Sequence, residues 1–352
     1  MNRIIILACV LCLFSTSACY KVGPGANNPW EKVDFTALGP IRTMHSAPTE
    51  VLAITDQEFF RIDSDNEVIE ERPIGLAASY FGRPTLGDWV FTRFIEKNNK
   101  HVAEFHLVRN SNQIFDIIIN DIPLPDGMTI NLEGTAAKDV GAFNDDSSQL
   151  AFPVELNRAE GSNLGIVIVD INLTPTKENF ASVEIVDVVD IPELRSNAQF
   201  MSTITFIGGA YYVMHQDGGF RITADGNYRQ VASGWTLDAF VREGTIFMTS
   251  FSSFEFLQSE NNGLTFERVG TTTPAKYVYQ ANDQYFHQDN RGFEFQLISD
   301  DFEEVRDIVY NRDITNQSDN SAFWNMIYMG GRYYINVQNE IWYLDEIELE
   351  EE

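Results

Sequence analysis

GTIFMTSFSSFEFLQSENNGLTFERV, residues Gly244 to Val269, contains three short strands and two turns. A glycine opens onto the apolar run Thr245 to Met248, and an alternating segment begins at Phe254. A polar turn, Ser259 to Gly263, then leads into Phe266 to Val269. Alternation with period two, broken by Gly and Asn, marks half-buried β-strands joined by tight hairpins. The same unit recurs. GAYYV (Gly209 to Val213), DQYFH (Asp283 to His287) and GRYYI (Gly331 to Ile335) each place an apolar pair behind a turn residue. Second strands follow at Phe220, Phe254, Phe293 and Ile341. The anchors Tyr211, Ile246, Tyr285 and Tyr333 are spaced 35, 39 and 48 residues apart. That period fits a four-stranded antiparallel blade, which cannot bury both faces alone and so must stack around an axis.

The first half repeats the unit more loosely, in VLAITDQEFFRID from Val51, WVFTRFI from Trp89 and QLAFPV from Gln149. The expected fold is all-β. It is a single β-propeller of about seven four-stranded antiparallel blades, with six or eight as alternatives. NNPWEKVDF (Asn27 to Phe35) echoes the outer-strand pattern LTFERV and predicts an N-terminal strand that completes the last blade. Closing the ring in this way removes exposed strand edges.

The stretch Ser259 to Phe266 resembles the Asp-box of BNR-repeat and sortilin-like propellers, S-x-D-x-G-x-T-W. Ser259, Gly263 and Thr265 match, Phe266 stands for Trp and Asn261 for Asp. An Asn here can fold its side chain onto nearby backbone N–H groups, and Gly supplies a positive φ. The resemblance implies a structural turn, with Phe266 buried on its own blade; the alternative is a plain hairpin. AFNDDSSQLAFPVE (Ala142 to Glu155) resembles the TolB-like repeat. Phe143, Leu150, Ala151 and Phe152 match, and Asp145 and Ser147 stand where that turn has Pro and Gly.

Ahead of the repeats, Asn2-Arg3 precedes an unbroken apolar run of eleven residues, Ile4 to Phe14, and then STSAC up to Cys19. A bilayer span needs about 20 residues, so the pattern reads as a signal peptide over residues 1–18. The cysteine after small residues resembles a bacterial lipobox, which implies that Cys19 becomes the lipidated first mature residue. Ordinary cleavage near Ala18 is the alternative. Of the three cysteines, Cys9 and Cys12 lie in the apolar run, which leaves Cys19 without an internal disulfide partner. Tyr20 occupies the place of a retention Asp, so the resemblance points to the outer membrane of a bacterial envelope. Residues 19–29 read as the anchor and a flexible tether, 30–347 as the propeller and 348–352 as an acidic tail.

A net charge of −28 argues against nucleic acid and anionic lipid headgroups as partners. The five histidines, His45, His101, His106, His215 and His287, form no metal motif. DSDNEVIEE from Asp63 lacks the glycine of a calcium loop and reads as a solvated turn. No cofactor, metal site or catalytic residue is expected. One enzyme class competes: sialidases are Asp-box propellers, and Phe60-Arg61-Ile62 resembles their F-R-I-P. That resemblance implies a carboxylate-binding role for Arg61, with Arg221, Arg291, Tyr277 and Tyr279 as further candidates. The expected function is a lipid-anchored, non-enzymatic binding or scaffold protein for a protein or glycan partner; the alternative is a sialidase-like glycoside hydrolase.

Overall fold

The computed structural model describes residues 30–345 except 48, 56, 74–78, 83–89, 108–113, 125–126, 132–140, 147, 160, 177–178, 195–200, 252–254, 270–274, 290–293, 299–304 and 312–322. Cys19, expected to carry a lipid, the expected tether and acidic tail, and Arg291 lie outside the described residues.

Seven antiparallel sheets follow one another along the chain and form a seven-bladed β-propeller. Numbered in chain order, blade 1 runs from residue 41 to 73, blade 2 from 79 to 118 and blade 3 from 129 to 190. Blade 4 runs from 201 to 233, blade 5 from 236 to 269, blade 6 from 275 to 311, and blade 7 from 323 to 344. Glu31–Lys32 pairs with the last strand of blade 7, Glu31 opposite Tyr343 and Lys32 opposite Trp342. The N-terminal closure expected from NNPWEKVDF is therefore present. Lys32 reaches Glu340 at 2.6 Å, and Val33 N–H donates to the Ile341 carbonyl at 2.9 Å. Among the described residues the one helical element is a 3-10 turn at Ile119–Asp121.

The core is a set of layers between blades. One cluster joins Tyr211, Val213, Phe220 and Ile222 of blade 4 to Ile166, Ile168 and Val189 of blade 3. Another joins Tyr212, Met214 and Ile207 of blade 4 to Ile246 and Met248 of blade 5. Successive strand residues point to opposite faces, so the tyrosine pair divides between two neighbours. Each fully buried side chain of this size contributes about 1.5–3 kcal/mol.

The phenol hydroxyls then join the blades. Tyr211 donates to Gln149 Oε1 of blade 3 at 3.1 Å, and Tyr285 donates to the Val241 carbonyl of blade 5 at 2.9 Å. Tyr333 donates to Gln284 Oε1 of blade 6 at 2.7 Å, and Tyr334 to Asn66 Oδ1 of blade 1, also at 2.7 Å. Burial pushes the Tyr211, Tyr212 and Tyr334 phenols up, so each remains a neutral donor. The aromatic pairs behind each turn are thus clasps to the preceding and following blades.

Blade 3 departs from the regular pattern. Its central strands, Gln149–Arg158 and Gly161–Leu173, are ten and thirteen residues long. Two separate segments occupy its inner edge: Thr129–Asn131 pairs near Leu156, and Ala142–Phe143 pairs with Leu150 and Ala151.

Candidate functional site

The inner strands of blades 1 and 4 to 7 share one distortion. Pairing with the second strand slips between Ile41 and Thr43, Met201 and Thr203, Thr236 and Asp238, Ala275 and Tyr277, and Phe323 and Met326. A bulge re-aims side chains and increases local twist. Five at one level place a ring of re-aimed positions where the inner strands begin, at the axial mouth.

Two bulge residues tie adjacent inner strands together. Asp238 accepts from Ala239 N–H at 2.8 Å and from Val278 N–H of blade 6 at 2.9 Å. Asn325 of blade 7 donates through Nδ2 to the Met44 carbonyl of blade 1. Val278 and Met44 are register equivalents, opposite His287 and Ala53 in their own blades. Asp238 is 8 % exposed, and burial pushes its carboxyl up to about 7 against the opposing pull of the two backbone donors. Thr249, directly opposite Asp238 in the sheet, is 2 % exposed and its Oγ1 has no hydrogen-bond partner. Desolvation pushes the imidazole of the partly buried His45 down to about 4.

An aromatic pair lies beside this ring. Trp235 follows Gly234, which has φ of 78°, and connects the outer strand of blade 4 to the inner strand of blade 5. Its Nε1 donates to Ser202 Oγ of the blade 4 inner strand at 3.2 Å, so the indole spans two inner strands. Phe251 closes on it, with ring centroids 4.7 Å apart and planes at 54°. Phe251 N–H also donates to the Trp235 carbonyl at 2.9 Å. Both rings remain partly exposed. Nothing in the local sequence periodicity singled out Trp235 or Asp238; the Gly-Trp step after an outer strand was the available signal.

The turn at Ser259 is self-contained. Ser259 Oγ accepts from Gly263 N–H at 2.7 Å. Asn261 Oδ1 accepts from Leu264 and Thr265 N–H at 3.1 and 2.9 Å, and its Nδ2 donates to Thr265 Oγ1 at 2.7 Å. Gly263 has φ of 74°, and a Cβ there would lie 1.7 Å from the Tyr212 hydroxyl. Phe266 packs against the core cluster that blades 4 and 5 share, which includes Ala239, Ile246 and Met248 of its own blade. It is partly buried and packs edge-to-face on Tyr212 of blade 4, at 6.4 Å and 84°. The strand after the turn, Glu267–Val269, is short and outermost.

Arg61 lies on the third strand of blade 1, away from the mouth. Its Nε donates to Glu50 at 2.9 Å and its Nη1 to Glu70 at 2.9 Å. The guanidinium fork is thus filled by two carboxylates of its own blade. Phe60-Arg61-Ile62 and Phe220-Arg221-Ile222 occupy matching third-strand positions in blades 1 and 4, and both Phe–Ile pairs are fully buried. The triplet is accounted for by strand alternation. Tyr277 and Tyr279 lie on the inner strand of blade 6, where Tyr279 packs partly buried against the core shared with blade 7. Arg61 and Arg221 are three blades apart, each on a third strand of its blade. The turn after Asp63 folds on its own carboxylate, which accepts from Asp65 and Glu67 N–H at 2.9 and 3.0 Å. Among the described residues no group of three or more His, Cys, Asp or Glu side chains could hold a metal ion.

Seven four-stranded blades and an axial mouth define a β-propeller. The chain is similar to a chain in the crystal structure of the mitotic checkpoint complex, with a TM-score of 0.59, 7% identity, and 94% of this chain and 98% of that one covered. It is similar to the Pan2 WD40 domain of Neurospora crassa, with a TM-score of 0.50, 10% identity, and coverage of 92% and 98%. PorZ, an essential bacterial surface component of the type-IX secretion system of Porphyromonas gingivalis, aligns with a TM-score of 0.49 and 8% identity over 90% of this chain; the chain spans 38% of that protein's length. At such identities the likeness is one of fold. No protein-family profile and no curated protein matches the chain.

Proposed function

We propose that this chain is a bacterial envelope lipoprotein, held on the outer membrane through a lipid on Cys19, whose propeller is a rigid, non-enzymatic platform for a protein or glycan partner. The observation that carries this reading is where the polar side chains are used. Arg61 is bound between Glu50 and Glu70, Asp238 between two backbone amides, and the clasp tyrosines to neighbouring blades. Groups committed to holding the ring make it stiff, and a stiff ring presents its mouth and loops in one geometry, which lowers the ordering cost of binding. The placement STSAC ahead of a Gly- and Asn-rich tether supports the anchor.

The test is fractionation of cells carrying the parent or Cys19→Ala. The parent is expected in the membrane fraction and the variant in the soluble fraction. A variant that stays with the membrane as the parent does would overturn the lipid anchor.

A further inference from the structure

We propose that Trp235 and Phe251 form a stacking platform for an uncharged sugar ring at the axial mouth. The proposal rests on the binding-platform reading and names the class of ligand. The first support is position. The indole bridges the inner strands of blades 4 and 5 through its Ser202 contact at 3.2 Å, at the level where both strands carry a bulge.

The second is fixation. The Trp235 carbonyl accepts from Phe251 N–H at 2.9 Å and from Ser250 Oγ at 3.4 Å, and the next residue, Thr236, is fully buried with its hydroxyl against the His215 backbone. A ring pair held from both sides and still partly exposed loses little freedom when a ligand covers it.

The third is the character of the rim. The connecting turn of blade 4 lies beside Thr236, because His215 N–H donates to the Thr236 hydroxyl at 3.2 Å. That turn carries the Asp217 carboxylate, partly exposed and 3.4 Å from the His215 ring. Ser202 adds a partly exposed hydroxyl. An aromatic floor with a carboxylate and a hydroxyl beside it matches a pyranose. Its C–H face covers the rings, and its hydroxyls donate to and accept from the rim. Anionic sugars face a chain of net charge −28 and a carboxylate at the rim.

The experiment is calorimetric titration of the full chain with neutral hexose and N-acetylhexosamine oligosaccharides, beside sialylated and uronate-containing ones. At least one neutral sugar is expected to bind. Trp235→Ala and Phe251→Ala are each expected to weaken it by about tenfold or more. Trp235→Phe keeps an aromatic floor while losing the Ser202 bond, so it is expected to retain most of the affinity. It also serves as the readout should the alanine variant fail to fold. Failure of every neutral sugar to bind at millimolar concentration would overturn the proposal. So would binding that is indifferent to these variants, exclusive binding of acidic sugars, or a protein as the sole ligand. A protein as the sole ligand would overturn the sugar proposal and leave the binding platform standing, and no outcome bears on the lipid anchor, so the readings fail separately.

Discussion

The joint between blades 4 and 5 and the joint between blades 7 and 1 are two solutions to one problem. In each, the second tyrosine of a Tyr-Tyr pair crosses to the third-to-fourth strand turn of the next blade. Tyr212 donates to the Asn262 carbonyl at 3.4 Å, and Tyr334 to Asn66 Oδ1 at 2.7 Å. Asn262 and Asn66 have φ of 57° and 65°, in the left-handed region that Asn tolerates. Around that shared point the turns differ. One is knotted by Ser259 and Asn261 and needs Gly263; the other is capped by Asp63 and has no glycine. The ring repeats the docking geometry, and the residues of the turn are free to vary beneath it.

At the axial level the same contrast involves charge. Asp238 and Asn325 both tie one inner strand to the next, the acid by accepting and the amide by donating. The largest expected effect lies here, because only the acid titrates. The folded-state pKa of Asp238 is raised to about 7 from 3.8, so between these values the folded chain holds a proton that the unfolded chain has lost. Its contribution to stability is therefore full at low pH, declines as pH rises from about 4 to 7, and is flat above. Linkage makes the swing a few kcal/mol. Melting curves of the parent and Asp238→Asn, whose amide mimics the protonated acid and does not titrate, should lie close together at low pH and separate as pH rises from about 4 to 7, the parent losing stability that the variant keeps. Parallel curves would mean that Asp238 is ionised throughout.

Gly263→Val breaks the joint between blades 4 and 5 from the turn side. It forces a β-branched residue to a φ of 74° and drives a methine carbon into the Tyr212 hydroxyl. Strain and overpacking together should cost about 3 kcal/mol by denaturant unfolding. A loss under about 1 kcal/mol would show that the turn can shift away from Tyr212.

How much of this was legible follows from the same joints. Blades 4 to 7 announced themselves because a turn residue precedes each aromatic pair, as in Gly209 to Tyr212 and Gly331 to Tyr334. Strand alternation then fixes what each tyrosine faces. Blade 3 was readable as a pair of strands at Gln149 and Gly165, but not in its lengths or its split inner edge, since continuous apolar runs such as Ile166 to Val169 carry no period. At the mouth, bulges move Asp238 out of simple alternation, and Trp235 owes its place to a contact with Ser202 33 residues away. Non-local register decides both, and a single sequence does not print it. Arg61 shows the converse: a short motif carried a family resemblance, while its chemistry was set by Glu50 and Glu70 across the sheet.

Phe266→Ala sharpens the comparison, since the turn that receives Tyr334 has no described counterpart to this ring. The side chain is only partly buried, so its removal should cost about 2 kcal/mol, less than for a fully buried Phe. The loss should shrink in a Tyr212→Ala background, because the edge-to-face contact at 6.4 Å is with that ring. Additive losses in the double mutant would place the Phe266 contribution elsewhere.

The smallest expected effects come from removing the two clasp hydroxyls alone. Tyr334→Phe takes away a donor held at 2.7 Å by Asn66 Oδ1 and leaves the ring, which is fully buried, in place. The acceptor is a side-chain amide that then lacks this partner, so the cost should be about 1 kcal/mol. Tyr212→Phe removes a contact of 3.4 Å to a backbone carbonyl, near the limit of a hydrogen bond, and should cost less than half as much. The order of the two is what matters, and urea unfolding of the variants side by side reads it. If Tyr212→Phe proves the more costly, the joint between blades 4 and 5 depends on its hydroxyl rather than on the packing of Tyr212 against Gly263 and Phe266, and the two joints would differ in mechanism as well as in residues.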